Sequence, residues 1–129
     1  MYFFGEASRK KLLSCHPDLA AICNKVIPVY NFSVLEGHRS DARQDELFRQ
    51  DLSTKRGGES EHNSTPSRAV DIAPYPIDWD NPKRFYLLAG LMFQAAHELG
   101  VKIRWGGDWD GDWDHTDQRL HDLPHFEGS

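Results

Sequence analysis

The chain has 129 residues, enough for one domain that buries roughly two-thirds of its unfolded surface without disulfide staples. Hydrophobic residues at 39% and charged residues at 27% are globular proportions and exclude a disordered chain. Fifteen Lys and Arg against twenty Asp and Glu leave a net charge of -5 with no basic stripe, which argues against a nucleic-acid partner, and no apolar run reaches the length of a membrane span.

Met1 to Leu13 lacks the basic region, apolar run and cleavage site of a signal peptide. Helix is expected from about Ser8 to a break at His16-Pro17. Pro17 suits the first turn of a second helix, with Asp18 at its positive end and Leu19, Ile22, Cys23 and Val26 as its apolar stripe. Cys15 and Cys23 are expected as reduced, buried thiols, since no CxxC pair exists to hold a zinc. Pro28 ends that helix. Asn31 to Glu36 has the pattern of a strand, with Phe32 and Val34 on one face. Ser40 caps a helix running to about Gln50. Ser53 to Ser67 is polar and expected as loop.

Ala69 to Ala73 resumes as a short strand. Asn81 as cap and Pro82 at the first position open the clearest helix, whose stripe is Phe85, Leu88, Met92, Ala95, Ala96 and Leu99, and Gly100 closes it. Val101, Ile103 and Trp105 alternate with Lys102 and Arg104, a strand pattern. A loop dense in Asp and Trp follows, and Pro124 to Glu127 forms a short docked segment. Helices and short strands do not alternate regularly, so an α+β domain with a small antiparallel sheet fits best.

Three places put costly groups where packing alone would not. Asp71 sits in the apolar run Ala-Val-Asp-Ile-Ala, on the face opposite Val70 and Ile72. Such a carboxylate needs a partner, which is an arginine, a turn it caps, or a metal. His62 lies nine positions earlier on a loop leading into that strand, either as a solvated surface residue or as a second ligand to a shared ion. Asp122-Leu123-Pro124-His125 pairs an acid with an imidazole across a proline turn. His62, Asp71 and His125 together offer two nitrogens and one oxygen, and three protein ligands with an open fourth position are the catalytic zinc pattern. Zn2+ held so lowers the pKa of its water to about 7 and polarises a carbonyl. Asp122 is the candidate general base beside it. Glu127 shares the His125 face in an extended segment, and either orients that ligand or pairs with an arginine.

The set Ser60-x-His62, Ala69-x-Asp71 and Asp122-x-x-His125 resembles the motifs of the zinc D-Ala-D-Ala carboxypeptidase / L-alanyl-D-glutamate endopeptidase family, in particular its phage endolysin members. His16-Pro17-Asp18-Leu19, Glu36-Gly37-His38-Arg39-Ser40 and Ile103-Arg104-Trp105-Gly106-Gly107-Asp108 extend the likeness over about residues 5 to 127. The resemblance implies a small α+β peptidase fold with a single zinc (hedgehog/D-Ala-D-Ala peptidase-like). It implies one catalytic domain over residues 1–129 with no separate wall-binding domain. The implied reaction is cleavage of the L-Ala–D-Glu bond in the peptidoglycan stem peptide, by a monomer held in the host cytoplasm until it is released to the wall. Arg39 matches the arginine that steadies substrate or the developing oxyanion; the other reading is a structural pair near Ser40. The family usually has six residues, one of them Gly, between its first His and the Asp. Here there are eight, Asn63 to Val70, with Pro66-Ser67 in the glycine's place, so the loop is expected to bulge.

Asp108, Asp110, Asp112 and Asp114 alternate, but the EF-hand pattern needs Gly at position six and Glu at position twelve. Counted from Asp108 those places hold Trp113 and Arg119, and from Asp110 they hold His115 and His121, so both registers fail. That leaves a solvated acidic loop or a cation site of another kind. Trp105, Trp109 and Trp113 either wall a substrate groove or cover the core. Two other functions stay open from sequence: a D-Ala-D-Ala carboxypeptidase with the same machinery, and a zinc-bearing binding module without catalysis. The missing signal peptide also fits a periplasmic enzyme whose leader was removed.

Overall fold

The structure, a computed structural model, describes residues 1–109, 111 and 122–128. Helix α1 spans Glu6–Leu13 and α2 spans Pro17–Val26. The break between them falls at the expected place, where His16 Nδ1 accepts from the Asp18 amide at 3.1 Å and caps α2. Strand β1 is Phe32–Glu36 and α3 is Asp41–Arg49. The Ser40 hydroxyl accepts from the Arg43 amide at 3.0 Å, the cap its sequence position calls for. A 3₁₀ turn at Glu61–Asn63 interrupts the segment expected as plain loop. Strand β2 is Ala69–Pro74 and α4 is Pro82–Leu99. Asn81 makes no side-chain cap bond, so Pro82 alone marks that start, whereas Gly100 takes the left-handed φ of 70° expected at the end.

Strand β3 is Ile103–Gly106, shorter than its alternation suggests. Val101 is drawn into the end of α4 instead, its amide donating to the Ala96 carbonyl at 2.9 Å. The largest departure is at the C-terminus. Asp122–Gly128 is a full strand, β4, not a short segment across a proline turn. The sheet runs β1-β2-β4-β3, antiparallel throughout, so β4 is an interior strand.

Alternation sorts the sheet into two faces. Val70, Ile72 and Phe126 point into a core shared with Leu19, Ile22, Cys23, Val26, Leu88 and Met92. Trp105 belongs to that core, stacked on Phe126 with ring centroids 6.2 Å apart. Leu99, expected in the apolar stripe of α4, is 42% exposed because it falls at the last position of the helix, past the sheet. Both cysteines are free and buried, as expected. The other face carries Asp71, His125 and Glu127, with the 3₁₀ turn packed against β2.

Candidate active site

The 3₁₀ turn places His62. The Ser60 hydroxyl accepts from the His62 amide at 3.2 Å, and Asn63 Oδ1 accepts from the Ser60 amide at 3.0 Å. Ser67, fully buried, donates its amide to the Ser14 carbonyl and accepts from the His16 amide, each at 2.8 Å. These two bonds tie the end of the loop to the start of α2. The imidazole is 2% exposed, and its Nδ1 lies 2.7 Å from the Gly37 carbonyl oxygen. A carbonyl only accepts, so Nδ1 carries the ring proton and Nε2 turns its lone pair to Asp71 Oδ1, 3.2 Å away.

Asp71 sits between two cross-strand neighbours, Glu36 of β1 and His125 of β4. His125 Nε2 lies 2.8 Å from Glu127 Oε1 and donates to it, which leaves Nδ1 facing the same Asp71 Oδ1 at 3.1 Å. Burial alone pushes the Asp71 carboxyl up, but the contacts and charges of His125 and His62 outweigh it and hold it well below the usual carboxylate range. For His125 burial works downward, and the Asp71 and Glu127 carboxylates override it to raise the imidazole to about 9. The hydrogen bond from His125 holds Glu127 low against its own burial, and the charges of Arg104 and Lys55 act in the same direction.

Asp122 is the one candidate that simple alternation misplaces. It lies three positions from His125, which on a regular strand is the opposite face. The β3–β4 register slips between Trp105 and Gly106, so that Gly106 faces Asp122 while Trp105 faces Phe126. That bulge sends Leu123 toward the core, where its carbonyl accepts from Trp105 Nε1 at 2.8 Å, and brings Asp122 to the cavity. Although the residue as a whole is exposed, its carboxyl is raised, by burial first and by the Asp71 charge next.

Arg39 makes a structural pair, with Glu36 as its partner. Its Nε donates to Glu36 Oε1 at 2.9 Å and its Nη2 to Glu36 Oε2, a bidentate pair, while Nη1 donates to Gln44 Oε1 at 2.7 Å. Nη2 also lies 3.9 Å from Asp71 Oδ2, which puts the guanidinium at the edge of the His-Asp-His group. Glu36, Arg39, His62, Asp71, Asp122 and His125 border one cavity of about 610 Å³, which Trp109 also walls beside His125 with ring centroids 5.4 Å apart. His38 and His97 are exposed and away from the cavity lining. Asp110, Asp112, Trp113, Asp114, His115 and His121 lie outside the described residues.

The ligand atoms of His62, Asp71 and His125 lie within 4.8 Å of one another. Atoms held about 2.0–2.1 Å from a tetrahedral ion sit roughly 3.3–3.4 Å apart, close to the two histidine–aspartate contacts here. The proton count points the same way. With each outer ring nitrogen donating, His62 Nε2 and the Asp71 carboxylate turn lone pairs to one point, and His125 Nδ1 would add a third once a bound cation displaces the second proton that Asp71 and Glu127 favour on its ring. A cation at that point relieves the arrangement, and the donor set suits a divalent metal.

Sequence reasoning missed the partners that hold these side chains: Glu36, the Gly37 carbonyl and Gln44. Gln44 carried a readable signal, since it sits three and four positions before Leu47 and Phe48 on the inner side of α3 and is fully buried.

A family model described as phage L-alanyl-D-glutamate peptidase matches residues 1–128. The chain belongs to the phage L-alanyl-D-glutamate peptidase family. Within curated proteins it is 31% identical over 121 residues to the L-alanyl-D-glutamate peptidase of Escherichia phage T5, covering 89% of this chain and 87% of that protein. Among solved structures it resembles the Serratia marcescens L-Ala D-Glu endopeptidase ChiX, with a TM-score of 0.75 and 31% identity over 98% of this chain and 90% of that one. Family membership therefore agrees with the fold and with the expectation of a peptidase.

Proposed function

We propose that the protein is a zinc-dependent peptidoglycan hydrolase that cleaves the L-Ala–D-Glu bond of stem peptides as a phage endolysin. The observation that carries this reading is the convergence of His62 Nε2 and His125 Nδ1 on Asp71 Oδ1 in the floor of an open cavity. His62, Asp71 and His125 would hold Zn2+, which when bound supplies Lewis acidity toward the scissile carbonyl and toward water.

The chain's own groups do the rest. Asp122, with its carboxyl raised, takes the proton of the attacking water and passes it to the nitrogen of the breaking C–N bond, so that D-Glu leaves as a free amine. Arg39, locked in orientation by Glu36 and Gln44, keeps unused N–H donors for the oxygen on which negative charge grows. Glu127 fixes the ring orientation of His125. The stretch acts as one monomeric catalytic domain, made in the host cytoplasm and meeting the wall only after release.

Digestion of purified sacculi, with mass spectrometry of the fragments, tests the reaction. New N-terminal D-Glu is expected; free D-Ala would make it a carboxypeptidase instead. Asp122→Ala is expected to keep stoichiometric zinc and lose hydrolysis, and His125→Ala to lose both. Full-rate cleavage by Asp122→Ala would remove the general base from this mechanism.

A further inference from the structure

We infer that Lys55 determines substrate specificity by binding the free carboxylate of the D-Glu residue at the scissile bond; the inference rests on the activity proposed above. D-Glu has two carboxyl groups, and whichever one carries the chain onward, the other remains as an anion next to the cleaved amide. The cavity that must receive it is acidic, bordered by Glu36, Asp51, Glu61, Asp71, Asp122 and Glu127. Like charges repel in such a space, so acceptance of an acidic residue calls for a cation aimed into it.

Among the described residues, three cations besides the histidines border the cavity: Arg39, Arg43 and Lys55. Arg39 is matched by the bidentate carboxylate of Glu36 and by Gln44. Arg43 is matched by Glu46, 3.2 Å away on the same helix. The Lys55 ammonium, on the border of the same cavity, has no hydrogen bond or ion pair among the described residues.

Its backbone, in contrast, is anchored. The Lys55 carbonyl accepts from Gln44 Nε2 at 2.7 Å, and its amide donates to Ser53 Oγ at 3.2 Å. Gln44 is fully buried and also holds Arg39, so a single amide sets the spacing between the guanidinium beside the ligand group and the loop that presents the lysine. A lysine suits this task, since a hydrated point charge on a flexible stem meets a carboxylate at the solvent edge with little desolvation.

The test is a substrate–variant cycle. Zinc-loaded wild type, Lys55→Met and Lys55→Arg are assayed on an L-Ala–D-Glu peptide with its free carboxylate and on the same peptide with that group as the carboxamide. Lys55→Met is expected to lower kcat/KM on the acid by about tenfold, mainly through KM, to leave the amide unchanged, and to be rescued in large part by Lys55→Arg. The same ratio should appear in the Kd of the uncleaved product that begins with D-Glu. An equal loss on both peptides, or an unaltered acid-to-amide ratio, overturns the assignment while leaving the activity in place. If wild type cleaves neither peptide, the proposed activity fails and the assignment with it.

Discussion

At the scale of single residues, the chemistry rests on which ring nitrogen carries a proton. Glu127 decides this for His125 by accepting from Nε2, and it is held in turn by Arg104, whose Nη1 lies 3.5 Å from Glu127 Oε2. Glu127→Ala frees the ring to rotate and to change tautomer. It should weaken zinc binding by about 10–100-fold in a chelator competition, whereas Glu127→Gln, which keeps an accepting oxygen, should lose much less. Equal losses for the two variants would mean that the carboxylate acts by charge and not by orientation. His62, Asp71 and His125 were legible in the sequence because an unpaired acid in an apolar strand and two imidazoles are expensive unless they share something. Their supports were not legible, since a backbone carbonyl such as that of Gly37 has no signature in side-chain identity. The cysteines give a second prediction. Burial pushes the Cys15 thiol up to about 11 against a hydrogen bond involving Ser14, and the Asp71 charge adds to it. At pH 8 only about one Cys15 in a thousand is thiolate in the fold, against about a quarter in the unfolded chain. A raised folded value contributes stability that is complete below the unfolded pKa and is lost as pH climbs through 11. Native protein should therefore resist iodoacetamide at pH 8 and react promptly in denaturant; rapid native labelling would show that the thiol is not sealed.

At the scale of elements, the bulge between β3 and β4 does what neither strand could do alone. Regular alternation would point Asp122 into the core beside Phe126, but the slipped register returns it to the face of His125. The slip brings Gly106 so close to the Asp122 backbone that a Cβ on residue 106 would overlap the Asp122 carbonyl. Gly106→Ala should therefore displace Asp122. It is expected to destabilise the protein by about 1–3 kcal/mol in denaturant titration and to cut hydrolysis sharply while zinc stoichiometry stays near one, because His62 and Asp71 lie on other segments. Normal activity in Gly106→Ala would show that the bulge does not set the position of the proposed base. Helix starts at Pro17 and Ser40 and the stop at Gly100 were readable because local chemistry dictates them. The bulge was not, since it arises from the pairing of two segments that lie far apart in the chain.

At the scale of the whole molecule, one sheet separates two kinds of cohesion. The side packed with α2 and α4 is held by apolar burial that needs no ion, with Phe126, Ile72, Val70 and Met92 fully or almost fully buried. The other side gathers charge from three separate places, the 3₁₀ turn, β2 and β4, and their side chains meet at a single carboxylate oxygen. An ion bound there would cross-link those segments without being part of the core. The metal-free chain is thus expected to stay folded at 25 °C, with a near-native far-UV spectrum after EDTA treatment. Zinc should raise Tm by linkage, about 4 kcal/mol at a free concentration of a thousand times Kd, or on the order of 10 °C for a domain this size. Asp71→Asn, which leaves the apolar side untouched, should abolish most of that rise while changing the Tm of the metal-free protein far less. Collapse of the fold on chelation would instead place the ion among the structural supports of the sheet, and an equal zinc-induced rise in Asp71→Asn would locate the binding elsewhere.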